Sequence, residues 1–583
     1  MSDQPVINCH THIFTVEDVP PYLARSIAPW PLFYILNIRR IAGLYRWFTK
    51  LEQKIIRSAA WKTGQRRLYA FRMALKRYFI LLLLKNVFIA VFLCSVFHDQ
   101  YRSLIAPMLE RMNIPHAWLD AADHWLAGSG WIIITESWLL KTLLLLLFLF
   151  LFPNGRNLLW FILRKVNRFV RLLPGKHMTE LLKRYLNIVR FANYKDQWRV
   201  YDRLVKQYPP GSRMIVLPMD MAYMKAGQPA REYGDQLKML AAIKKNHADR
   251  ICPFVFVDPR RNEAGGKTFF SYSASDGQVT LGDCCIKDYI EGEQFSGFKI
   301  YPALGYFPFD TRLLPLWKYA ADRGIPLMTH CIRGVIYYRG RKEKAWDTHP
   351  VFRQYLGPDD PNYKAAESDY EPMLLPQMKA ADVQEIFTHP LNYACLYKKE
   401  LLIKIVRKEP SLYSVFGYDK ATDTMKYDLS ALKLCFGHFG GEDEWLKYFE
   451  KDRSNFGHHL VQFPDQGIDF IRNSSGAFRE SHDNLWYSAD WYSIICSLML
   501  QHENVYADIS YILHGEQAIM PLLRSTLQHP TLRRRVLYGT DFYVVRNHKS
   551  DKNMLADMRG GLLEHEFDQI ARLNPVGYLG GRK

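Results

Sequence analysis

Eight short apolar runs recur along the chain: "VINCHTH" (6–12), "MIVLPMD" (214–220), "ICPFVFVD" (251–258), "GFKIYP" (297–302), "IPLMTH" (325–330), "LKLCFGH" (432–438), "NVYADIS" (504–510) and "RVLYGTD" (535–541). Runs of this length, bounded by polar or turn-forming residues, fit strands, and the longer segments between them fit helices. Eight strands alternating with helical intervals predict an α/β fold, the (β/α)8 TIM-type barrel, whose chemistry sits at the C-terminal ends of the strands. Polar residues fall at those ends: His10, His12, Asp220, Asp258, Lys299, His330, His438 and Asp541. On a strand, positions i and i+2 share a face, so His10 and His12 point the same way. An isolated H-x-H is an ordinary surface or core pair; the repetition of polar residues at the ends of apolar runs is what marks this one as part of a site.

The rhythm breaks in two places. Between the first and second runs lies an insertion, 15–205, containing "YFILLLLKNVFIAVFLCSVF" (78–97) and "WIIITESWLLKTLLLLLFLFLF" (131–152). At about 20 residues each, these reach the length that spans a bilayer. Lys85, Glu136 and Lys141 interrupt them, and a charge in the middle of a bilayer costs roughly 2.5–3.5 kcal/mol. The expectation is a helical, membrane-inserted or firmly attached segment, with buried core helices or an in-plane hairpin as the alternative. A second expansion, 331–431, precedes the sixth run: "THPLNYACL" (388–396) looks like its leading helix, but "YSVFGYDKATDTMKYD" (413–428) intervenes. The expected organisation is therefore 1–14 as the first strand, 15–205 as the insertion and 206–583 as the rest of the barrel. These insertions could form a lid, a homo-oligomer contact or a corridor from bilayer to site.

Net charge, +19, changes the picture only by its location. Residues 39–77 hold twelve Lys or Arg against one acid, and 153–199 hold eleven against two, so both basic stretches flank the apolar spans. Flanking charge of this kind suits anionic lipid, and argues against nucleic acid, which calls for basic residues interleaved with aromatics along a groove. Nine cysteines, odd in number and without a C-x-x-C pair, indicate neither a cysteine zinc site nor a disulfide framework. The N-terminal residues carry no basic stretch followed by an apolar core, so no cleavable secretory signal is expected. "GGKT" (265–268) lacks the glycine a phosphate loop needs, since that position is Arg261, and Cys284–Cys285 has no partner at ligand spacing.

The opening H-x-H, "GFKIYPALGY", "LMTHC", "LCFGHFGG" and "LYGTDF", in that order, resemble the amidohydrolase superfamily, in the amidohydrolase family 2 branch that includes proteins resembling aminocarboxymuconate-semialdehyde decarboxylase. The resemblance covers 1–14 and about 210–545. It implies one divalent metal, Zn2+ or else Mn2+, held by His10, His12, His330 and Asp541, with His438 as the catalytic acid/base and Asp541 sharing the proton. Three imidazoles and a carboxylate suit such an ion, and an open position makes its site catalytic. Cys9 and Cys331, each beside a ligand, would by alternation face the outer helical layer. Lys299 reads as an interior polar or anion-binding group for substrate rather than a carboxylated metal bridge, and Arg333 as a second substrate-binding candidate. His349, His389, His458 and His459 read as surface or structural.

The reading that results is a membrane-attached, metal-dependent hydrolase whose activated water attacks an amide, ester or lactone of a small-molecule substrate. The alternatives are a non-oxidative decarboxylase or hydratase on the same barrel, and a non-catalytic membrane-anchored partner protein. Both ends of the insertion lie in one barrel, so the chain must cross a bilayer an even number of times. The connecting loop, 98–130, holds two basic residues against four acids. By the positive-inside rule this puts the barrel on the cytoplasmic face of a membrane, as at a bacterial inner membrane. A cysteine replacing Ser103 should then react with an impermeant thiol reagent added outside intact cells, and one replacing Ser454 should not; reaction at Ser454 alone would invert the orientation.

Overall fold

The computed structural model describes residues 4–580 apart from scattered stretches, the longest of which are 97–106, 129–137, 162–187 and 358–368. All eight expected runs are strands: β1 (Ile7–Thr11), β2 (Arg213–Val216), β3 (Ile251–Phe256), β4 (Gly297–Ile300), β5 (Leu327–His330), β6 (Leu434–Gly437), β7 (Val505–Asp508) and β8 (Val536–Leu537). They form one sheet in sequential order, and every neighbouring pair is parallel. The sheet closes on itself. Cys9 N donates to Tyr538 O at 2.8 Å, Asp541 N donates to His10 O at 2.8 Å, and Thr11 bridges Phe542 in parallel. A closed parallel sheet with helices between its strands is the (β/α)8 barrel, and closure leaves no strand edge to protect.

The side chains alternate around this wall. Ile7, Cys9, Ile215, Leu217, Cys252, Phe254, Met328, Cys435 and Leu537 form one buried cluster with Tyr578 and Leu579 of the C-terminal helix Asn574–Leu579, filling the barrel's interior. Val216, Val255, Phe298, Ile300, Leu327, Phe436 and Ala507 belong to the larger cluster between wall and helices. Near-continuous apolar strands follow from this burial on both faces.

The chain divides into two compact units, Met1–Arg46 with His177–Lys583, and Trp47–Lys176. The barrel unit thus keeps both ends of the expected insertion, because Val16, Val19, Leu23, Ile38, Phe191, Val200, Tyr201 and Leu204 are buried in its core. The second unit carries helices Ala59–Arg77, Phe79–Val96 and Trp138–Leu151, and Phe92 stacks on Phe148 with ring centroids 4.4 Å apart. The expectation of two membrane-spanning helices is not supported: among the described residues no helix is long and apolar enough to cross a membrane. Helix Trp138–Leu151 has 14 residues. Helix Phe79–Val96 carries Lys85 and Asn86 inside its 18 residues. Residues 97, 131–137 and 152 of the expected spans lie outside the described residues, as do Ser103 and Ser454. The second expansion contributes an antiparallel pair, Thr348–Tyr355 with Tyr370–Leu374, and helix Lys399–Val406.

The β1–β8 seam is pinned by one side chain. Asn8 Oδ1 accepts from His10 N (3.1 Å) and Thr540 N (3.2 Å), and its Nδ2 donates to Thr540 Oγ1 (2.8 Å) and Tyr208 Oη (2.6 Å). Both hydroxyls in turn donate to Asp551. Asn8→Ala strands two buried amides and should lower stability by about 2–6 kcal/mol, since each unsatisfied buried group costs about 1–3 kcal/mol; urea unfolding followed by circular dichroism measures it.

Candidate metal centre

The first strand carries a one-residue irregularity that decides where the site lies. Ile7 and Asn8 pair with Arg213 and Met214, but Thr11 rather than His10 pairs with Val216, so an extra residue sits between Asn8 and Thr11. Such a bulge breaks the two-residue alternation and re-aims a side chain. Cys9 and His10 consequently both face the interior, Cys9 among the apolar cluster and His10 with its ring beside Gly437 and Ser510. The expectation that Cys9 faces the helical layer is thereby corrected, whereas Cys331 does pack there, its thiol against Thr388 O. Thr11 turns outward to Ile215 O at 2.7 Å, and His12 turns in again.

Three side chains converge at this mouth. His10, His12 and Asp541, all buried, present one ligand atom each within 4.8 Å of one another. His12 Nδ1 donates to Leu217 O at 2.8 Å, which leaves Nε2 to face Asp541 Oδ1 at 3.4 Å. His10 Nδ1 lies 2.8 Å from Asp508 Oδ2, and its Nε2 is buried without a hydrogen-bond partner. Burial, and then Lys299, push the His10 imidazole well below its ordinary pKa, so the ring is neutral. A neutral ring with Nδ1 taken offers Nε2 as a lone pair. Burial likewise lowers His438, with His10 and Lys299 adding to it. His438, His10 and Asp508 form a second group of the same kind. His330 joins the site through His438, with Nδ1 at 3.1 Å from His438 Nε2, and Tyr301 stacks on its ring at 3.8 Å and 13°.

The backbone is strained where it presents these groups. Asp541 (φ 56°), His438 (φ 66°) and Phe439 (φ 42°) occupy the left-handed region, followed by Gly440 (φ 83°) and Gly441 (φ 93°). Non-glycine residues there cost on the order of 1 kcal/mol or more each and cluster at functional sites. Lys299 is fully buried, its Nζ has no hydrogen-bond partner, and burial lowers it to about 8 against the opposing pull of Asp508 and Asp541. A buried ammonium without a fixed acceptor is costly unless something in the cavity takes its protons.

The other strand-end residues are engaged elsewhere. Asp220 is paired with Arg261, and Asp258 with Arg260 at 2.6 Å. Arg333 donates to Glu444 at 2.5 Å and Glu385 at 2.8 Å and lies over the Trp491 ring, so its guanidinium ties three elements together. His349 is buried and bonded to Asn392, and His389 caps the turn at Pro390–Tyr393. The 265–266 glycines (φ 62° and 78°) form the turn between short strands Glu263–Ala264 and Lys267–Thr268. Asp508, Ser510 and Tyr301 are the neighbours that sequence reasoning passed over. The seventh run was the one without an assigned polar end, and Asp508 occupies that place.

No family model matches the chain, and no curated protein matches it. Among solved structures it is similar to a 5-carboxyvanillate decarboxylase from Novosphingobium aromaticivorans, with bound manganese and 3-methoxy-4-hydroxy-5-nitrobenzoic acid: 12% identity over 68% of this chain and 88% of that one, TM-score 0.33. It is similar also to 4-oxalomesaconate hydratase from Rhodopseudomonas palustris (11%, 65% and 79%, 0.31). A third is an amidohydrolase from Mycobacterium avium subsp. paratuberculosis (11%, 66% and 75%, 0.29). The fold rests on the chain's own strand pairing, because likeness at this level carries no weight beside it.

The Arg333 side chain is about a third exposed and Glu444 almost fully buried (35% and 3%). Arg333→Met should therefore lower stability by about 2–3 kcal/mol, less than the roughly 3–5 kcal/mol of a fully buried pair, and adding Glu444→Gln should recover part of that; calorimetry of the two variants checks both.

Proposed function

We propose that the chain is a metal-dependent hydrolase of the amidohydrolase type, acting on an amide, ester or lactone. The observation that carries this reading is the convergence of His10, His12 and Asp541 at the barrel mouth with the His10 Nε2 lone pair buried and unpartnered. A buried imidazole nitrogen facing another imidazole and a carboxylate is a donor set that fits a divalent ion, Zn2+ or Mn2+. His10, His12 and Asp541 would hold it, with His330 as the fourth ligand. When bound, such an ion supplies Lewis-acid polarisation and an acidified water.

The chain's own residues then divide the remaining work. His438, held through Nδ1 by Ser510, keeps Nε2 turned into the site, where it moves the proton between water and leaving group. Lys299 takes an anionic part of the substrate with its otherwise unmatched ammonium. Arg333, bound between two carboxylates, contributes to the frame around that site. The same ligands would serve a decarboxylase or hydratase. Membrane attachment belongs to this proposal as surface binding to anionic lipid. It is supported by the exposure of Phe79, Ile80, Leu83, Leu84 and Phe88 on a helix that follows the basic helix Ala59–Arg77. The barrel would then work on the cytoplasmic side.

Plasma mass spectrometry of protein purified without chelators should find about one divalent metal per chain, lost in His10→Ala and Asp541→Ala. His438→Ala should keep the metal while kcat, on whichever ester or lactone a p-nitrophenyl ester and lactone panel identifies, falls by roughly 10²–10⁴. A metal-free wild type overturns the proposal, and a metal-loaded protein inert to every class of substrate favours the non-catalytic alternative.

A further inference from the structure

The interior of the barrel contains one carboxylate that no strand-end motif singled out and that touches both kinds of histidine in the site. Asp508 ends β7 and is completely buried. Its Oδ1 accepts from two backbone amides, His438 N at 3.1 Å and Ser510 N at 3.0 Å, and from the Ser510 hydroxyl. Amide groups can only donate, so these bonds fix Oδ1 as an acceptor. Its Oδ2 faces His10 Nδ1 at 2.8 Å. Ser510 Oγ, having given its proton to Asp508, is left to accept, and it lies 2.9 Å from His438 Nδ1.

Proton bookkeeping then runs in one direction. The His10 ring places its proton on Nδ1 to meet Oδ2 and exposes the Nε2 lone pair among His12 and Asp541. The His438 ring places its proton on Nδ1 to meet Ser510, whose hydroxyl oxygen lies at 2.9 Å and carbonyl oxygen at 3.3 Å, and exposes Nε2 toward His330. The shorter contact of each ring leads to the same carboxylate, directly from His10 and through the Ser510 hydroxyl from His438. The bond also compensates the irregularity of β1: the bulged stretch has no regular pairing with β2, and the Asp508 contact fixes the ring the bulge delivers.

We propose that Asp508 is the positioning residue of the site, fixing the tautomer and orientation of His10 directly and those of His438 through Ser510, so that metal affinity and acid/base function depend on one side chain. This rests on the metal-centre reading above. Outer partners of ligating histidines set ring orientation and basicity, and their loss typically weakens metal binding roughly 10–100-fold. Asp508→Asn is the informative change. An amide has one acceptor oxygen where the carboxylate has two, so the variant can satisfy either His10 or the His438 and Ser510 donors, and the displaced side meets an NH2 group.

The test uses full-length protein loaded with Mn2+ and, separately, Co2+. Free Mn2+ measured by electron paramagnetic resonance in a chelator competition gives the affinity, and the visible Co2+ absorption reports ligand geometry. Asp508→Asn should weaken Mn2+ binding roughly 10–100-fold and alter the Co2+ spectrum. Ser510→Ala leaves the 2.8 Å His10–Asp508 contact in place and removes only the longer 3.2 Å contact of the hydroxyl with His10 Nδ1, so it should change Mn2+ affinity less than about threefold while lowering kcat. The thermal midpoint of each metal-free variant separates positioning from unfolding, and Asp508→Ser, small enough to leave a water in the carboxylate's place, serves if Asp508→Asn does not fold. Unchanged affinity and spectrum in a folded Asp508 variant overturn the inference while the hydrolase reading stands. Wild-type protein that binds neither ion instead overturns the reading beneath it.

Discussion

One extra residue in the first strand is the constraint on which the site depends. The seam between β1 and β8 closes the barrel, and on the other side of β1 the register with β2 starts with Ile7 and Cys9 inside and Asn8 outside. Strict alternation would then send His10 to the helical layer. Because an additional residue is accommodated before Thr11, His10 enters the interior instead, and His12 follows from the next inward position. The cost of the irregular ladder falls on Asn8, whose amide side chain takes over the backbone groups of His10 and Thr540. Closure and site are in this sense the same structure: the residues that hold the barrel shut are the immediate neighbours of those that line its mouth.

The charge balance inside that mouth follows from burial. His10 and His438 are held neutral by desolvation, and Lys299 faces two carboxylates, Asp508 and Asp541. Asp508 accepts from His10, His438, Ser510 and the Cys435 thiol, and Asp541 faces the His12 imidazole. Buried ionisable groups this close together are stable only when hydrogen bonds or opposite charge offset them. A divalent cation between His10, His12 and Asp541 would supply such an offset. The left-handed backbone at His438 and Asp541 belongs to the same arrangement, since both residues leave the strand to turn their side chains over the opening.

Legibility in the sequence tracked physical cause. All eight strands could be located because burial on both faces makes them apolar throughout, and their order followed from the rule that successive β/α units lie side by side. His10, His12, His330, His438 and Asp541 stood out because polar residues are rare at the ends of such runs. Asp508 did not, because a single aspartate between Ala507 and Ile509 looks like the edge of a turn until its partners from β1 and β6 are known. The bulge was invisible for a related reason: alternation assigns faces only when the register is regular, and at Cys9 it is not. Arg333 was legible as a charge near the site but not as the partner of Glu385 and Glu444, which come from distant segments. The apolar stretches of the insertion were evident from composition, but among the described residues no helix is long and apolar enough to cross a membrane.

The central claim is that a divalent ion is held by the bulged first strand and the eighth strand together. Anomalous scattering from crystals grown with Mn2+, collected on both sides of the manganese absorption edge, tests it most directly. The account predicts one strong peak per chain within bonding distance of His10 Nε2, His12 Nε2 and an Asp541 oxygen, with Asp508 bonded to the far side of the His10 ring. A peak elsewhere in the barrel, or no peak in crystals of a folded chain, would contradict it.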